Sequence, residues 1–192
     1  MYSNDFSNYK ALIIGGSAGS FQIVLNILNV IPKGIDMPIF LCLHRLKHIR
    51  TGFVEALLLK SKIPIIEPCD KDVIKPGKAY LAPANYHMYI EIGNRIALST
   101  EEPVNHSRPS IDLSFYTAAQ AYRNKLIGII LSGANKDGAM GFKKIADMGG
   151  YTIVQDPKDC EVAMMTESTL NITSVNQVLS AEKIINFISK LK

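Results

Sequence analysis

The stretch that most constrains the fold runs from Ala11 to Ser20 and reads ALIIGGSAGS. Four apolar residues stop at two glycines, Ser17 follows at once, and an apolar helical pattern begins after Gly19. This pattern predicts a buried strand that turns sharply into a helix. Such a turn lies at the open end of a sheet, where small residues let backbone N–H groups approach a ligand. The turn therefore suits an exposed nucleophile or a bound phosphate.

Apolar runs and amphipathic segments alternate along the rest of the chain. Further buried strands are predicted at 38–43, 63–66, 126–131 and 151–154. Helices are predicted at 21–31, 51–59, 109–123, 139–148 and 181–191. Short strands at 78–82, 88–92 and 95–98, the last two joined by a Gly-Asn turn, predict a hairpin. The alternation indicates a doubly wound α/β fold, a Rossmann-like three-layer structure with a mainly parallel sheet, helices on both faces and an antiparallel edge hairpin.

Length and composition narrow the class of protein. The 192 residues are the length of one domain, and 47% of them are hydrophobic, so we expect a single domain over residues 1–192 with a substantial core. The N-terminus does not resemble a signal peptide, and no apolar run approaches the roughly 20 residues of a membrane helix. These features predict a cytoplasmic protein without membrane insertion.

Charge and cysteine spacing exclude several kinds of partner. The net charge of +4 is mild and no nucleic-acid-binding motif occurs, so no nucleic-acid partner is predicted. The three cysteines, Cys42, Cys69 and Cys160, have neither the spacing of a disulfide framework nor that of a zinc site. No metal is therefore predicted.

Three of the predicted strands end in residues that can act together. The first ends at Ser17, the second at His44, and the third leads into a loop that contains Asp137. In a parallel sheet the site lies beyond the carboxyl ends of the strands. A serine hydroxyl needs a neutral imidazole to take its proton, and the imidazole needs a carboxylate to fix its tautomer. The pattern predicts a nucleophilic triad, with backbone donors for an oxyanion in the glycine-rich turn.

Each of these residues also has a purely structural interpretation. Ser17 could cap the helix that follows it, His44 could bond to backbone at a strand end, and Asp137 could cap the helix that begins after Gly138. Three such coincidences at three adjacent strand ends are less expected than one shared site. We therefore favour the site.

The same residues carry a resemblance to a known family. The motifs GGSAGS, LHR, KPGKAYLAPANYHM, RPSIDLSF and LSGANKDGAMG occur in this order from about Ala11 to the C-terminus. Together they resemble the catalytic domain of the chemotaxis protein-glutamate methylesterases, the CheB family. The resemblance implies a serine hydrolase that removes methyl esters from glutamate side chains of chemoreceptors and releases methanol. Some members also deamidate glutamine on the same receptors.

The resemblance assigns roles to five positions of this chain. It places the catalytic triad on Ser17, His44 and Asp137, and backbone oxyanion donors at Ala18 and near Ala134. It implies that no metal or organic cofactor is needed. The expected partner is a methyl-accepting chemoreceptor with glutamate-rich helices. Because only ten residues precede the first predicted strand, we expect a catalytic domain without the receiver domain that full-length chemotaxis enzymes carry.

Four positions depart from the family pattern. Ser20 and Asn135 stand where glycine is usual, Ala134 replaces a methionine, and Thr166 replaces a proline. The change at Asn135 would be costly if that position needs a positive φ, although asparagine is the best substitute there. These departures support an alternative, in which the chain is a catalytically weak or silent regulatory module that binds a receptor. A nucleotide-binding domain is a further alternative, but the glycine spacings that characterise such domains are missing.

Several remaining histidines and basic residues have open interpretations. His87 and His106 lack matched partners and are predicted to be structural or surface residues. A basic cluster next to the proposed base is either a solvated helix entry or a docking patch for a glutamate-rich helix. Its members are His44, Arg45, Lys47, His48 and Arg50.

Overall fold

The computed structural model describes residues 6–44 and 52–192. These residues form nine strands: β1 (Ala11–Gly16), β2 (Ile39–Leu43), β3 (Ile65–Ile66), β4 (Ala79–Leu81), β5 (His87–Glu91), β6 (Arg95–Ser99), β7 (Leu126–Ile130), β8 (Tyr151–Gln155) and β9 (Gln177–Leu179). They also form six α-helices: α1 (Phe21–Val30), α2 (Phe53–Lys60), α3 (Ile111–Tyr122), α4 (Ala139–Asp147), α5 (Met164–Leu170) and α6 (Ala181–Ile188). Within these two ranges, no helix is both long and apolar enough to cross a membrane.

Seven of the strands make one fully parallel sheet in the order β3-β4-β2-β1-β7-β8-β9. The first strand of the chain lies in the middle, so the strand order reverses at β1 and successive crossovers build outward from it in both directions. This is the doubly wound α/β architecture that the alternating pattern predicts, and the prediction is confirmed. The carboxyl ends of β2, β1 and β7 lie side by side at the reversal, where α/β proteins bind ligands.

The predicted hairpin forms, but it does not extend the large sheet. Strands β5 and β6 pair with each other in a separate antiparallel sheet. The hairpin packs on α3, whose side-chain hydroxyls take up part of its backbone hydrogen bonding. Ser114 Oγ donates to the Met88 carbonyl oxygen at 2.8 Å, and the Ile90 N–H donates to Thr117 Oγ1 at 3.0 Å. These bonds satisfy groups that would otherwise seek another strand.

The core lies on both faces of the large sheet, as the continuous apolar runs of β1, β2 and β7 require. On one face Leu12 and Ile14 belong to a buried cluster with residues of α1, α2 and α6. On the other face Ile13 belongs to a cluster with residues of α3, α4, α5 and the hairpin. Gly15 continues this second face, and there it lets α3 approach β1 closely. A Cβ at Gly15 would lie 2.5 Å from Ile111 Cγ2.

Candidate active site

The ends of β2, β1 and β7 are held together by backbone hydrogen bonds that continue the sheet. The His44 N–H donates to the Gly16 carbonyl oxygen at 3.1 Å, and the Ser17 N–H donates to the Ser132 carbonyl oxygen at 2.9 Å. Gly16 is paired with Leu43 in the β1–β2 register, so Ser17 and His44 are the next residues along two adjacent strands. Strands at this spacing lie about 4.8 Å apart. The two residues are therefore neighbours on the face of the sheet that α3 covers.

His44 and Asp137 are in direct contact. His44 Nε2 lies 2.8 Å from Asp137 Oδ2, the Asp137 side chain is fully buried, and only 12% of the His44 side chain is exposed. Because a carboxylate can only accept, Nε2 carries the proton of the neutral ring and donates it to Asp137. Nδ1 is then the nitrogen with a free lone pair. The structure thus brings together two of the three residues of the predicted triad.

The Asp137 carboxylate accepts hydrogen bonds from the first turn of α3 and from the loop that precedes it. Oδ2 accepts from the Ile111 N–H at 2.7 Å, while Oδ1 accepts from Ser110 Oγ at 2.9 Å and from the Asp112 N–H at 3.2 Å. Asn105 Nδ2 also donates to Oδ1 at 3.3 Å. A helix N-terminus with unpaired N–H groups favours a negative charge. Asp137 therefore does not cap α4, whose N-cap is Gly138 with a φ of 100°.

A buried carboxyl group, Asp137, and a half-buried one, Asp112, meet here and differ in pKa. Burial raises the pKa of Asp137, but hydrogen bonds from His44, the Ile111 N–H and Ser110 lower it by more, so the pKa lies below its ordinary value. Burial raises the pKa of Asp112, and the neighbouring charge of Asp137 raises it further despite the N–H bond from Gly141. Asp137 is thus the carboxyl that stays ionised beside His44.

Ser17 lies half-buried at the turn between β1 and α1. Its hydroxyl forms no hydrogen bond within the described residues, neither to the start of α1 nor to His44, so the interpretation of Ser17 as a helix cap is wrong. Ser20 instead anchors the turn, because its Oγ and its N–H donate to the Ser17 carbonyl oxygen at 2.7 and 3.0 Å. Gly16 leaves room for this serine, since a Cβ there would lie 2.6 Å from Ser20 Oγ.

The two loops that meet at Ser17 each contain an unpaired backbone N–H group within the described residues. Ala18 and Ala134 are both exposed, and in the described part of the chain the N–H of neither residue meets an acceptor. The buried Ser132 ties the two loops together, because its Oγ donates to the Ala18 carbonyl oxygen at 2.7 Å and accepts from the Val162 N–H at 3.0 Å. Unpaired donors beside a serine can hold an oxyanion.

The departures from the family pattern are accommodated without strain. Asn135 is not among the residues with a positive φ, so the replacement of glycine costs nothing on that account. Its side chain bridges the loop, because Oδ1 accepts from the Asp137 N–H at 3.1 Å and Nδ2 donates to Ser107 Oγ at 3.2 Å. Thr166 is buried in α5, where its Oγ1 donates to the Ala163 carbonyl oxygen at 2.9 Å.

Sequence reasoning missed the residues that build the support of this site. Asn105, Ser107 and Ser110 stood in a polar loop and at a helix start, and no local pattern linked them to Asp137. His87 is confirmed as structural, because it is fully buried, accepts from the Ser110 N–H at Nδ1 (3.1 Å) and contacts the Glu102 carbonyl oxygen through Nε2 (3.1 Å). A proline-flanked serine before a helix was the one available signal, since serine favours N-caps.

The basic cluster beside His44 is not tested. Arg45, Lys47, His48 and Arg50 lie outside the described residues. His44 itself is described, and its hydrogen bonds with Asp137 and Gly16 are given above. The two interpretations of the cluster stay predictions.

Known proteins share the sequence pattern and the fold of this chain. The sequence model of the CheB methylesterase family matches residues 12–188. The chain belongs to the CheB methylesterase family. A relative in Leptospira interrogans, provisionally named a protein-glutamate methylesterase/protein-glutamine glutaminase, is 44% identical over 184 residues, which is 96% of this chain and 95% of the relative.

Two more distant CheB proteins extend the comparison. A protein-glutamate methylesterase/protein-glutamine glutaminase of Trichodesmium erythraeum is 33% identical over 178 residues, and the match covers 91% of this chain but 51% of that protein. The crystal structure of the Thermotoga maritima CheB methylesterase catalytic domain superimposes with a TM-score of 0.88 at 29% identity, covering 95% of this chain and 98% of that domain. The fold and the family predicted from the motifs are therefore confirmed.

Proposed function

We propose that this chain is a protein-glutamate methylesterase, a serine hydrolase that removes methyl esters from glutamate side chains of chemoreceptors. Membership of the CheB family supports the reaction class, and so do the names of its relatives. The observation that carries the proposal is the 2.8 Å contact between His44 Nε2 and the buried Asp137 carboxylate, one strand away from Ser17. Glutamine deamidation belongs to the same proposal, since an amide and an ester of this side chain give the same acyl-enzyme.

The first half of the proposed reaction forms the acyl-enzyme. Ser17 Oγ attacks the ester carbonyl carbon while its proton passes to Nδ1 of His44, the ring nitrogen that does not face Asp137. The ionised Asp137 stabilises the imidazolium that results. The carbonyl oxygen becomes an oxyanion, which in this proposal accepts hydrogen bonds from the N–H groups of Ala18 and Ala134. When the oxyanion collapses, the methoxy group takes the proton from Nδ1 and leaves as methanol.

The second half releases the product. Water gives a proton to Nδ1 of His44 and attacks the carbonyl carbon bound to Ser17. Collapse of this second oxyanion returns the proton to Ser17 Oγ and frees the glutamate carboxylate. Side-chain rotation of Ser17 has to bring Oγ to Nδ1, because the two are not bonded in the described structure. Catalytic hydrogen bonds are often long before substrate binds.

The proposed partner is a methyl-accepting chemoreceptor, and the proposed compartment is the cytoplasm. A substrate side chain on the surface of another protein can reach Ser17 only if the site is open to solvent. The exposure of Ala18 and Ala134 next to a half-buried Ser17 fits this requirement. In this proposal residues 12–188, which match the family, form the catalytic domain.

Methanol release from receptor-rich membranes tests the proposal. We expect the wild-type protein to release methanol from membranes whose receptors carry methyl esters. Ser17→Ala and His44→Gln should lower the rate by at least about 1,000-fold, because triad members act as a unit. Ser174→Ala, a change at an exposed serine, is the matched control and should leave the rate unchanged. A Ser17→Ala protein that still releases methanol at the wild-type rate contradicts the proposal.

The alternative, a silent receptor-binding module, has one observation in its favour. No hydrogen bond joins Ser17 to His44 within the described residues, so the base is not poised on the nucleophile. A serine-directed fluorophosphonate probe separates the two functions without needing the receptor. Labelling of the wild-type protein supports the enzyme, whereas a folded wild-type protein that stays unlabelled while binding receptor supports the module.

A further inference from the structure

Ser107 places a second hydroxyl group next to the base of the site. Its Oγ lies 3.5 Å from His44 Nδ1, on the opposite edge of the ring from Asp137. We propose that Ser107 is a positioning residue, which holds the His44 ring in the plane that the reaction needs, and that Asn135 positions Ser107. This inference rests on the proposed function, because it concerns the nitrogen that takes the proton of Ser17.

The hydroxyl of Ser107 can serve both protonation states of the ring. When Nδ1 carries a lone pair and Ser17 is turned away from it, Ser107 O–H can donate to Nδ1. When Ser17 O–H takes this single acceptor position, Ser107 turns its hydrogen to the Asn105 carbonyl oxygen. When Nδ1 has gained a proton, Ser107 Oγ can accept that N–H and turn its own hydrogen to the Asn105 carbonyl oxygen, 3.4 Å away. A hydroxyl rotates freely enough to make this exchange. The ring therefore keeps a partner at each edge before and after proton transfer, with Asp137 on the other side.

Asn135 fixes the position of this hydroxyl. Its Nδ2 donates to Ser107 Oγ at 3.2 Å, while its Oδ1 accepts the Asp137 N–H at 3.1 Å. One amide thus connects the loop that carries the catalytic carboxylate to the serine that faces the imidazole. Asn135 makes no contact with His44 itself, so it acts on the base through its two partners, Ser107 on one side and Asp137 on the other.

The backbone around Ser107 is built to hold it in place. The Ser107 N–H donates to the Val104 carbonyl oxygen at 2.9 Å, and the Val104 N–H donates to the Ser107 carbonyl oxygen at 3.2 Å. The two residues of the turn between them, Asn105 and His106, have φ values of 49° and 61°. Asn105 ties the same turn to Asp137. The turn therefore carries one side chain to the carboxylate and one to the imidazole.

A pair of isosteric variants isolates the hydroxyl. Threonine and valine have the same shape, so Ser107→Thr and Ser107→Val differ only in the group that can bond to Nδ1. We expect kcat for hydrolysis of p-nitrophenyl acetate to be about tenfold lower in Ser107→Val than in Ser107→Thr, with KM unchanged. Thermal unfolding of both variants checks that they are folded. Equal kcat values in the two folded variants, or a faster Ser107→Val, would overturn the proposal.

A double-mutant cycle tests the role of Asn135. Asn135→Ala should lower kcat in the wild-type background, and it should lower kcat by a smaller factor when Ser107 is already valine, because the part of its effect that passes through that hydroxyl is then gone. Independent, multiplying losses would refute this link. The fluorophosphonate probe keeps the two proposals apart. If the wild-type protein does not label, the proposed function fails; if it labels and Ser107→Val labels as fast as Ser107→Thr, only the present inference fails.

Discussion

At the scale of single residues, Asp137 is a buried side chain whose negative charge needs stabilisation by its neighbours. It is fully buried, yet it is kept charged by an imidazole, a hydroxyl and the first N–H groups of α3. Burial alone would favour the neutral acid. The hydrogen bonds reverse that preference, so the site holds a permanent acceptor for the Nε2 proton of His44. The tautomer that leaves Nδ1 free follows from this charge.

The lowered pKa of Asp137 predicts a pH dependence of stability. In the unfolded chain this carboxyl titrates near pH 4, and in the folded protein it titrates lower. Its stabilising effect is therefore complete above about pH 4 and is lost as the pH falls through the folded pKa. Asp137→Asn should reduce the free energy of unfolding by about 2 kcal/mol at pH 7 and by less at pH 3, as measured by urea denaturation. An equal loss at both pH values would contradict this account.

The sequence was sufficient to predict that His44 and Asp137 lie together, but not to predict the groups that support them. His44 follows a continuous apolar run directly, and Asp137 lies in the loop after another such run. Runs of this kind can be recognised without knowing what they pack against. Ser110 and Asp137 are 27 positions apart in the chain, and Asn105 and Asp137 are 32 positions apart. Nothing local marks such a pair. The partner of a polar loop residue is decided by how helices dock, which a single sequence does not display.

At the scale of elements, α3 is the piece that completes the site. Its N-terminus faces Asp137, and its body lies against β1 at Gly15 and against α4 at Gly141. A side chain at either glycine would meet Ile111, Asp112 or Phe115 of α3. The absence of side chains at these two positions sets the depth at which α3 delivers its N–H groups.

Gly15→Ala tests this packing. The new Cβ would lie 2.5 Å from Ile111 Cγ2 and 2.7 Å from Phe115 Cζ, so α3 or its side chains must shift. We expect a loss of about 1 to 3 kcal/mol in the free energy of unfolding. Gly34→Ala is the matched control, because no atom lies within 4 Å of a Cβ there. If urea denaturation shows equal stability for both variants, the close approach of α3 does not depend on Gly15.

The two regular elements that the sequence did not predict, α5 and β9, are both short. Helix α5 spans seven residues and strand β9 spans three, and neither has a long enough apolar pattern to stand out. The sequence predicted the hairpin but placed it at the edge of the large sheet. Pairing with the sheet edge and packing on α3 require the same alternation of apolar and polar residues, so the pattern does not separate the two. Tertiary contacts decide between these arrangements.

At the scale of the whole molecule, the three cysteines lie in three different environments. The face that holds the site also buries Cys42, and burial raises the pKa of that thiol far above its ordinary value. Cys69 is exposed and Cys160 is half-buried with a raised pKa. The three thiols therefore report on surface, loop and core in one experiment.

Thiol reactivity should follow that order. With a disulfide reagent at neutral pH, Cys69 should react first, Cys160 more slowly, and Cys42 only at the rate of opening of the core, since the thiolate is the reactive form. Peptide mass spectrometry at successive times gives the order. Rapid modification of Cys42 in the folded protein would contradict the packing of α3 on β2.

The measurement that tests the central claim most directly is the location of a fluorophosphonate adduct. We predict one adduct per chain, on Ser17, with fragment ions that separate it from Ser20 on the same tryptic peptide. His44→Gln should abolish it while leaving the fold intact. An adduct on any other serine, Ser107 included, or a folded wild-type protein without an adduct, would contradict the assignment of Ser17 as the nucleophile.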